Sequence, residues 1–352
     1  MDAIPGTIAP EKILRELADM WTELSRDASG AGEGALRACS LTLVTLADES
    51  EDFSAIGETI AALMPEHPAR TIVVRLEGED GHKLSERVYS QCWRPFGQKR
   101  QVCCEQVEIS ATDAALADLP SIILPLAVAD LPLVLWCRSA RLAAMPQFVS
   151  IAAMARRAIV DGERFVHLAL AGGGSEAAAP RIALHRIAAL ATRETCVSDL
   201  AWTRLTRWRA LLSQVFENRR NLAELPRISR VTVRTSHFAN LGGLYFGAWV
   251  MDVLADLGIQ PQFHLERSAE GTHGTIQGIE LAAPDWSVQL ARRDERLIVT
   301  VGGMAQCNPL PHATDFALME EELRITGRDA VYERTLASTR RMIGPRSIEP
   351  RG

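Results

Sequence analysis

ACSLTLVTLADESEDFSAIGETIAALMPEHPARTIVVRL (38–76) is the stretch whose reading decides the fold. A strand-like run, Ala38 to Leu46, is followed over 51–64 by helical spacing that stops at Pro65. A β-branched run, Arg70 to Leu76, comes next. Apolar residues that switch from near-continuous to helical spacing and back predict strand, helix and strand. Upstream, residues 10–27 place Ile13, Leu14, Leu17, Met20, Trp21 and Leu24 at helical spacing, with Pro10 suited to a first turn. Residues 28–35 read as a loop. Downstream, strands near 86–93 and 101–110 flank Pro95-Phe96-Gly97, which is turn chemistry for a hairpin. A short polar helix near 112–117 leads to the apolar runs Ser121–Val128 and Leu133–Arg138. The alternation predicts an α/β domain over 1–170 with a mixed sheet.

AGGGSEAAAP (171–180) reads as a flexible linker. The alternative is a phosphate loop at Gly172–Gly174, because the segment follows a strand-like run, Phe165–Leu170. Such loops hold phosphate on backbone N–H groups, and a chain using one would be an α/β nucleotide- or phosphate-binding enzyme. The segment lacks both the lysine of a P-loop and the spacing of a dinucleotide fingerprint. Beyond it, helices are expected over 181–193, 199–217, 241–257 and 314–341. Strands are expected over 227–235, 262–267, 274–282, 286–293 and 296–301, with Asp294-Glu295 as a tight turn. A second domain over 181–342 is therefore expected to be an antiparallel sheet covered by helices, with α+β character. Residues 343–352 read as a tail.

The 352 residues carry 38 Lys+Arg against 44 Asp+Glu, a net charge of −6, so a phosphate-backbone partner is disfavoured and no nucleic acid is expected. A 47% hydrophobic and 23% charged composition excludes disorder as the main state. Lys12, Lys83 and Lys99 are the only lysines, so the basic surface offers mainly planar guanidinium donors. The seven cysteines are odd in number and form no C-x-x-C pair, which argues against a disulfide-built secreted fold and a zinc ribbon. MDAIPGTIAPEK at the N-terminus has no leader pattern. Phe238 to Met251 is uncharged but only 14 residues, short of the roughly 18 of a membrane span. A cytoplasmic protein without membrane association, metal or cofactor is expected.

Four constellations are candidate sites. Cys103-Cys104 point to opposite faces of a strand, so a bond between them is not expected, and Cys92 in the partner strand could face either. These three are core side chains or a thiol switch of a redox sensor. His67 and Arg70 flank a strand entrance and could hold an anion. SDLAWTRLTRWRALLSQVFE (198–217) begins with Ser198 as N-cap and Asp199 at the positive helix end. Ala201, Leu205, Trp208, Leu212, Val215 and Phe216 form its apolar arc. Trp202, Arg207 and Arg209 are candidate partner-binding residues, of types enriched at interface hot spots. Arg204 falls inside the arc and needs an acidic partner, since an unpaired buried charge is costly. Asp252, in the arc of the apolar helix 241–257, is the expected partner. No G-x-S-x-G, no H-E-x-x-H and no carboxylate pair at clear catalytic spacing occurs.

HPAR with TIVV (67–74), CCEQVEI (103–109), LPLAVADLPLVLW (124–136), SDLAWTRLTRWRALLSQVF (198–216) and LGGLYFGAWVMDVL (241–254) resemble the OpcA family of glucose-6-phosphate dehydrogenase assembly proteins. Family members often carry a second Trp after the position of Trp136, where this chain has Cys137. The resemblance implies a non-catalytic partner of glucose-6-phosphate dehydrogenase that promotes its active oligomer and supports NADPH production in the oxidative pentose phosphate pathway. In photosynthetic members it implies a tie to thiol redox control.

Overall fold

The computed structural model describes residues 8–29, 35–78, 81–93, 101–237, 239–268 and 276–344. Two compact units form. One holds Met1–Val160, Ala189–Val197 and Glu322–Arg324; the other holds Asp161–Ala188, Ser198–Glu321 and Ile325–Gly352. The division falls at Val160/Asp161, ahead of the expected glycine-rich linker. The Pro95-Phe96-Gly97 turn and most of the expected tail lie outside the described residues.

The strands of the first sheet are β1 (Ala35–Arg37), β2 (Leu41–Asp48), β3 (Ala69–Glu77), β4 (Leu84–Trp93), β5 (Gln101–Thr112), β6 (Leu133–Cys137), β7 (Arg157–Val160) and β8 (Cys196–Asp199). Their order is β1-β5-β3-β2-β6-β7-β8, with β4 antiparallel on β5. β2 runs parallel to β3 and β6, β3 to β5, and β6 to β7. From β5 to β8 this is the 3-2-1-4-5-6 order of doubly wound dinucleotide-binding sheets. Central parallel strands are buried on both faces, which explains the near-continuous apolar runs. Leu43, Val44, Leu46, Ile72 and Val74 are fully buried.

Helices α1 (Pro10–Ser29), α2 (Phe53–Leu63), α3 (Leu119–Leu126) and α4 (Gln147–Ala152) complete the unit. α2 is the crossover between β2 and β3. It starts where Asp52 accepts the N–H groups of Ser54 and Ala55. Between β3 and β5 the return is made by β4 rather than a helix. The apolar run from Ser121 is helical: Pro120, in the first turn of α3, has no N–H to lose there.

The second unit contains α5 (Gly162–Ala171), α6 (Ala179–Leu190), α7 (Leu200–Thr203), α8 (Thr206–Val215), α9 (Arg219–Leu222) and β9 (Arg230–Thr235). It continues with α10 (Leu241–Asp256), β10 (Gln262–Arg267), β11 (Ile276–Ala282), β12 (Ser287–Arg293), β13 (Arg296–Val301) and β14 (Met304–Pro309). α11 (Asp315–Arg324), whose last turn belongs to the first unit, and α12 (Ala330–Met342) close the chain. The sheet order is β10-β9-β11-β12-β13-β14, antiparallel except for the parallel pair β9–β10. The expected helix over 314–341 is two helices. The expected strand at Phe165–Leu170 is instead part of α5.

α10 is buried along most of its length because it lies close on the sheet. A Cβ on Gly247 would sit 2.4 Å from the Phe263 ring, and one on Gly243 equally close to Thr235 Cγ2. Those two glycines let the helix backbone approach β9 and β10. Leu244, Tyr245, Phe246, Val250 and Leu254 are then removed from water. Each is worth about 1.5–3 kcal/mol against an exposed side chain.

Candidate functional site

In a doubly wound sheet a ligand binds outside the carboxyl ends of the strands, where the strand order reverses. Here that point lies between β2 and β6. The residues after β2 are Glu49-Ser50-Glu51-Asp52, with Asp48 closing the strand. Dinucleotide folds place glycines and a pyrophosphate at this turn. This turn presents carboxylates instead, and the α2 N-terminus that would receive phosphate is occupied by Asp52. Arg138, just after β6, donates to Glu51 at 2.8 and 3.2 Å and lies 5.0 Å over the Trp136 ring. Ser139 Oγ donates to Asp48 at 2.8 Å, and Arg141 reaches Asp48 at 3.2 Å and also bonds Asp113. The crevice is thus bridged by charge pairs from both of its walls, and an anionic ligand would meet like charge.

The Gly172–Gly174 segment is the end of α5, not a phosphate loop or a flexible joint. The N–H groups of Gly172, Gly173 and Gly174 donate to the carbonyls of Leu168, Leu170 and Ala169 at 2.9–3.0 Å. Gly173 adopts φ +84°, the left-handed conformation that ends helices. All three donors a phosphate would need are spent. His67 and Arg70 do not form an anion site either. Arg70 is buried and donates to Glu105 at 2.5 Å and to the Leu126 carbonyl at 2.6 Å. Glu105 also accepts from Trp21 at 2.6 Å and pairs with Arg37 at 2.7 Å.

Cys92 and Cys103 stand directly opposite across β4 and β5 and are joined by a disulfide, with Cα atoms 4.0 Å apart. Cys104 points to the other face, and burial pushes its thiol up to about 11. Sequence reasoning put Cys92 within reach of either neighbour; the register selects Cys103.

The most unusual electrostatics lie in the second unit. Asp161, Glu163 and Asp199 come together near Arg204. Arg204 grips both oxygens of Asp161, at 2.9 and 2.7 Å. Burial pushes Asp161 up, but the Arg204 charge and hydrogen bonds outweigh it and hold the carboxyl below its ordinary value. Glu163 accepts the Gly242 N–H at the start of α10 at 2.8 Å. Burial, with the charges of Asp161 and Asp199, pushes Glu163 up to about 8 against that bond. Asp199 N-caps α7 through Ala201 N–H, and accepts from Gly162 N–H at 2.8 Å and Tyr245 Oη at 2.9 Å. Burial first and Asp161 second push it up to about 7. The three carboxylates have bidentate Arg204 and, 4.0 Å from Asp161, Arg164; burial leaves Glu163 and Asp199 holding their protons to near or above neutrality.

Four expectations for the 198–217 segment are corrected. Ser198 lies in β8, and Asp199 is the cap. The helix is not continuous: it breaks after Thr203, so α7 and α8 are separate. Arg204 pairs with Asp161 rather than Asp252, which instead lies 3.6 Å from Arg334. Trp202 is 2% exposed and internal. Its Nε1 donates to Asp329, the cap of α12, at 3.1 Å, and Arg209 stacks on its ring at 3.7 Å. Of the three candidate partner-binding residues only Arg207 is exposed. Sequence reasoning missed Asp161 and Glu163. Their signal was a short apolar run, AIV, followed by Asp-Gly-Glu, a strand end with a helix cap. Among the described residues no group of His, Cys, Asp or Glu is set to hold a metal ion, and no helix is long and apolar enough to cross a membrane.

Residues 60–171 match the model of the glucose-6-phosphate dehydrogenase subunit N-terminal domain, and residues 195–336 that of its C-terminal domain. Over 203 residues the chain is 27% identical to the OxPP cycle protein OpcA of Synechocystis sp., covering 56% of this chain and 38% of that one. Over 186 residues it is 27% identical to its namesake in Nostoc punctiforme, covering 52% and 37%. The alignments thus span well under half the length of these relatives. Among solved structures, biliverdin reductase of Synechocystis sp. overlays at TM-score 0.41 and 6% identity, over 86% of this chain and 96% of that one. UDP-N-acetylglucosamine 3-dehydrogenase of Acidithiobacillus ferrooxidans overlays at TM-score 0.32 and 8% identity, with the same coverage. Likeness that loose does not extend to function. The two domain matches, which together take in most of the chain, place it in the OpcA family of glucose-6-phosphate dehydrogenase assembly proteins.

Proposed function

We propose that the chain is a non-catalytic assembly factor and allosteric activator of glucose-6-phosphate dehydrogenase, acting in the cytoplasm and supporting NADPH production by the oxidative pentose phosphate pathway. Family membership supports the partner. The observation that carries the non-catalytic part is the crevice of the first unit, where Arg138 and Arg141 tie together the carboxylates at the place a dinucleotide fold keeps for its cofactor. The physical means is linkage: a protein that binds the active assembly of the dehydrogenase more tightly shifts the population toward it. Moving a 1:99 equilibrium to 99:1 takes about 5.5 kcal/mol of differential binding. A well-packed interface of about 1,600 Å² supplies that.

The test is to assay the cognate dehydrogenase with and without this chain across substrate concentration, and to measure its oligomer size. A lower apparent KM, a higher maximal rate or a larger assembly is expected. No change in any of the three overturns the reading. The Cys92–Cys103 disulfide favours a refinement in which the activation responds to thiol reductant. Replacing both residues with Ser then abolishes the response, whereas a response that persists removes the refinement.

A further inference from the structure

A cleft of about 530 Å³ opens in the second unit beside the carboxylate cluster, within the size range of small-molecule sites. We propose that this cleft, where Glu163, Arg204, Asn240, Arg292 and His312 converge, binds a small metabolite through an oxyanionic group, phosphoryl or carboxylate. The proposal is independent of the dehydrogenase interaction.

The walls present donors. Arg204 spends two of its five N–H groups on Asp161; the others have no partner among the described residues, and the side chain is 35% exposed. Arg292 enters from β12. Only its Nε is committed, to the Asp294 carbonyl at 3.1 Å, which leaves the forked end for a ligand. Arginine forks match carboxylate and phosphate oxygens in pairs. His312 lines the rim after β14 and is exposed. Glu163 would repel an anion if ionised. Burial, reinforced by Asp161 and Asp199, raises it to about 8, so at neutral pH its carboxyl is mostly protonated. Its Oε2 is buried and has no hydrogen-bond partner, which suits a proton directed at a ligand oxygen. Asp161 is neutralised by Arg204, and Asp199, raised to about 7 by burial, is partly protonated at neutral pH. The apolar side of the cleft, with Leu205, Trp208 and Leu310, limits water and strengthens those hydrogen bonds.

Calorimetric titration of the full chain with glycerol 3-phosphate and with malate, and with glycerol as the uncharged control, tests the site. Saturable binding of one of the anions and none of glycerol is expected; which anion binds separates a phosphoryl from a carboxylate ligand. Arg292→Ala is expected to weaken binding about tenfold or more, as loss of a charged hydrogen bond does, with an unchanged melting temperature. His312→Ala, at an exposed position, reports on the same site and is expected to weaken binding in the same direction. The proposal is overturned if neither anion binds, if glycerol binds as well, or if both variants retain full affinity.

Discussion

The crevice of the first unit and the carboxylate cluster of the second both concentrate charge at the ends of strands, yet they balance it differently. In the crevice three acids meet two arginines: Glu51 meets Arg138, and Asp48 and Asp113 share Arg141. In the second unit Arg204, with Arg164 at 4.0 Å, serves Asp161, while burial keeps protons on Glu163 and Asp199. One region is locked by ion pairs; the other is linked to pH and poised to meet a ligand.

The largest break in this comparison is Arg204→Ala. It takes the bidentate partner from buried Asp161 and leaves it with Arg164, whose Nε lies 4.0 Å away, and removing one partner of a buried pair costs about 3–5 kcal/mol. Denaturant unfolding should show a loss of that size. In a double-mutant cycle, Arg204 and Asp161 should couple strongly, whereas Arg204 and Asp252 should not. Asp252→Ala alone should cost under about 1 kcal/mol, because its neighbour Arg334 is half exposed and such pairs are weak. Strong coupling between Arg204 and Asp252 would restore the pairing expected from the helical wheel.

The second break is pH. Glu163 and Asp199 have folded values of about 8 and about 7, above those of unfolded carboxyls. The folded state therefore binds more protons between about pH 4 and pH 8. Their contribution to stability is fully present below about pH 4 and is lost as pH rises through 7 to 8. Asp161 shifts the other way, but its window lies below the ordinary carboxylate value. Unfolding free energy should fall by on the order of 2–4 kcal/mol for each of the two groups from pH 5 to pH 8.5. Glu163→Gln should flatten much of that slope. A slope that stays undiminished in both Glu163→Gln and Asp199→Asn would show that neither group holds the extra proton.

These particulars also mark what the sequence could say. β2, α2 and β3 were legible because their periodicity is local. The 3-2-1-4-5-6 order was not, since β6 pairs beside β2 across many intervening residues that leave no periodic trace. Arg204 announced its need for an acid, because a guanidinium inside an apolar arc has no other resting place. Its partner was not legible: a helical wheel gives the face a residue occupies but not the element opposite. Trp202 was misplaced for a related reason. The break after Thr203 turns α7 away from the arc of α8, and no proline or glycine marks it.

A third test probes the crevice. Glu51→Ala removes the carboxylate that Arg138 grips beside Trp136 and should cost about 1–3 kcal/mol, as loss of a charge-assisted, largely buried hydrogen bond does. NADPH fluorescence should be unchanged by the wild-type chain. Enhancement or blue shift on titration would mean that the ion pairs open for a nucleotide, and the contrast between the two regions would fail.

The smallest expected effect on stability separates Arg207 from its neighbours. Trp202 and Arg209 stack on each other inside the unit, with Trp202 tied to Asp329, so replacing either disturbs the packing of α7 against α12. Arg207 is exposed on α8, and Arg207→Ala should change unfolding free energy by under about 0.5 kcal/mol. Any loss of dehydrogenase activation in that variant would then come from the contact surface and not from the fold. An exposed arginine at an interface hot spot is worth 2 kcal/mol or more, about thirtyfold in affinity. Titrating the dehydrogenase with wild-type and Arg207→Ala chains therefore compares about thirtyfold with no change. The second outcome would move the docking face off α8.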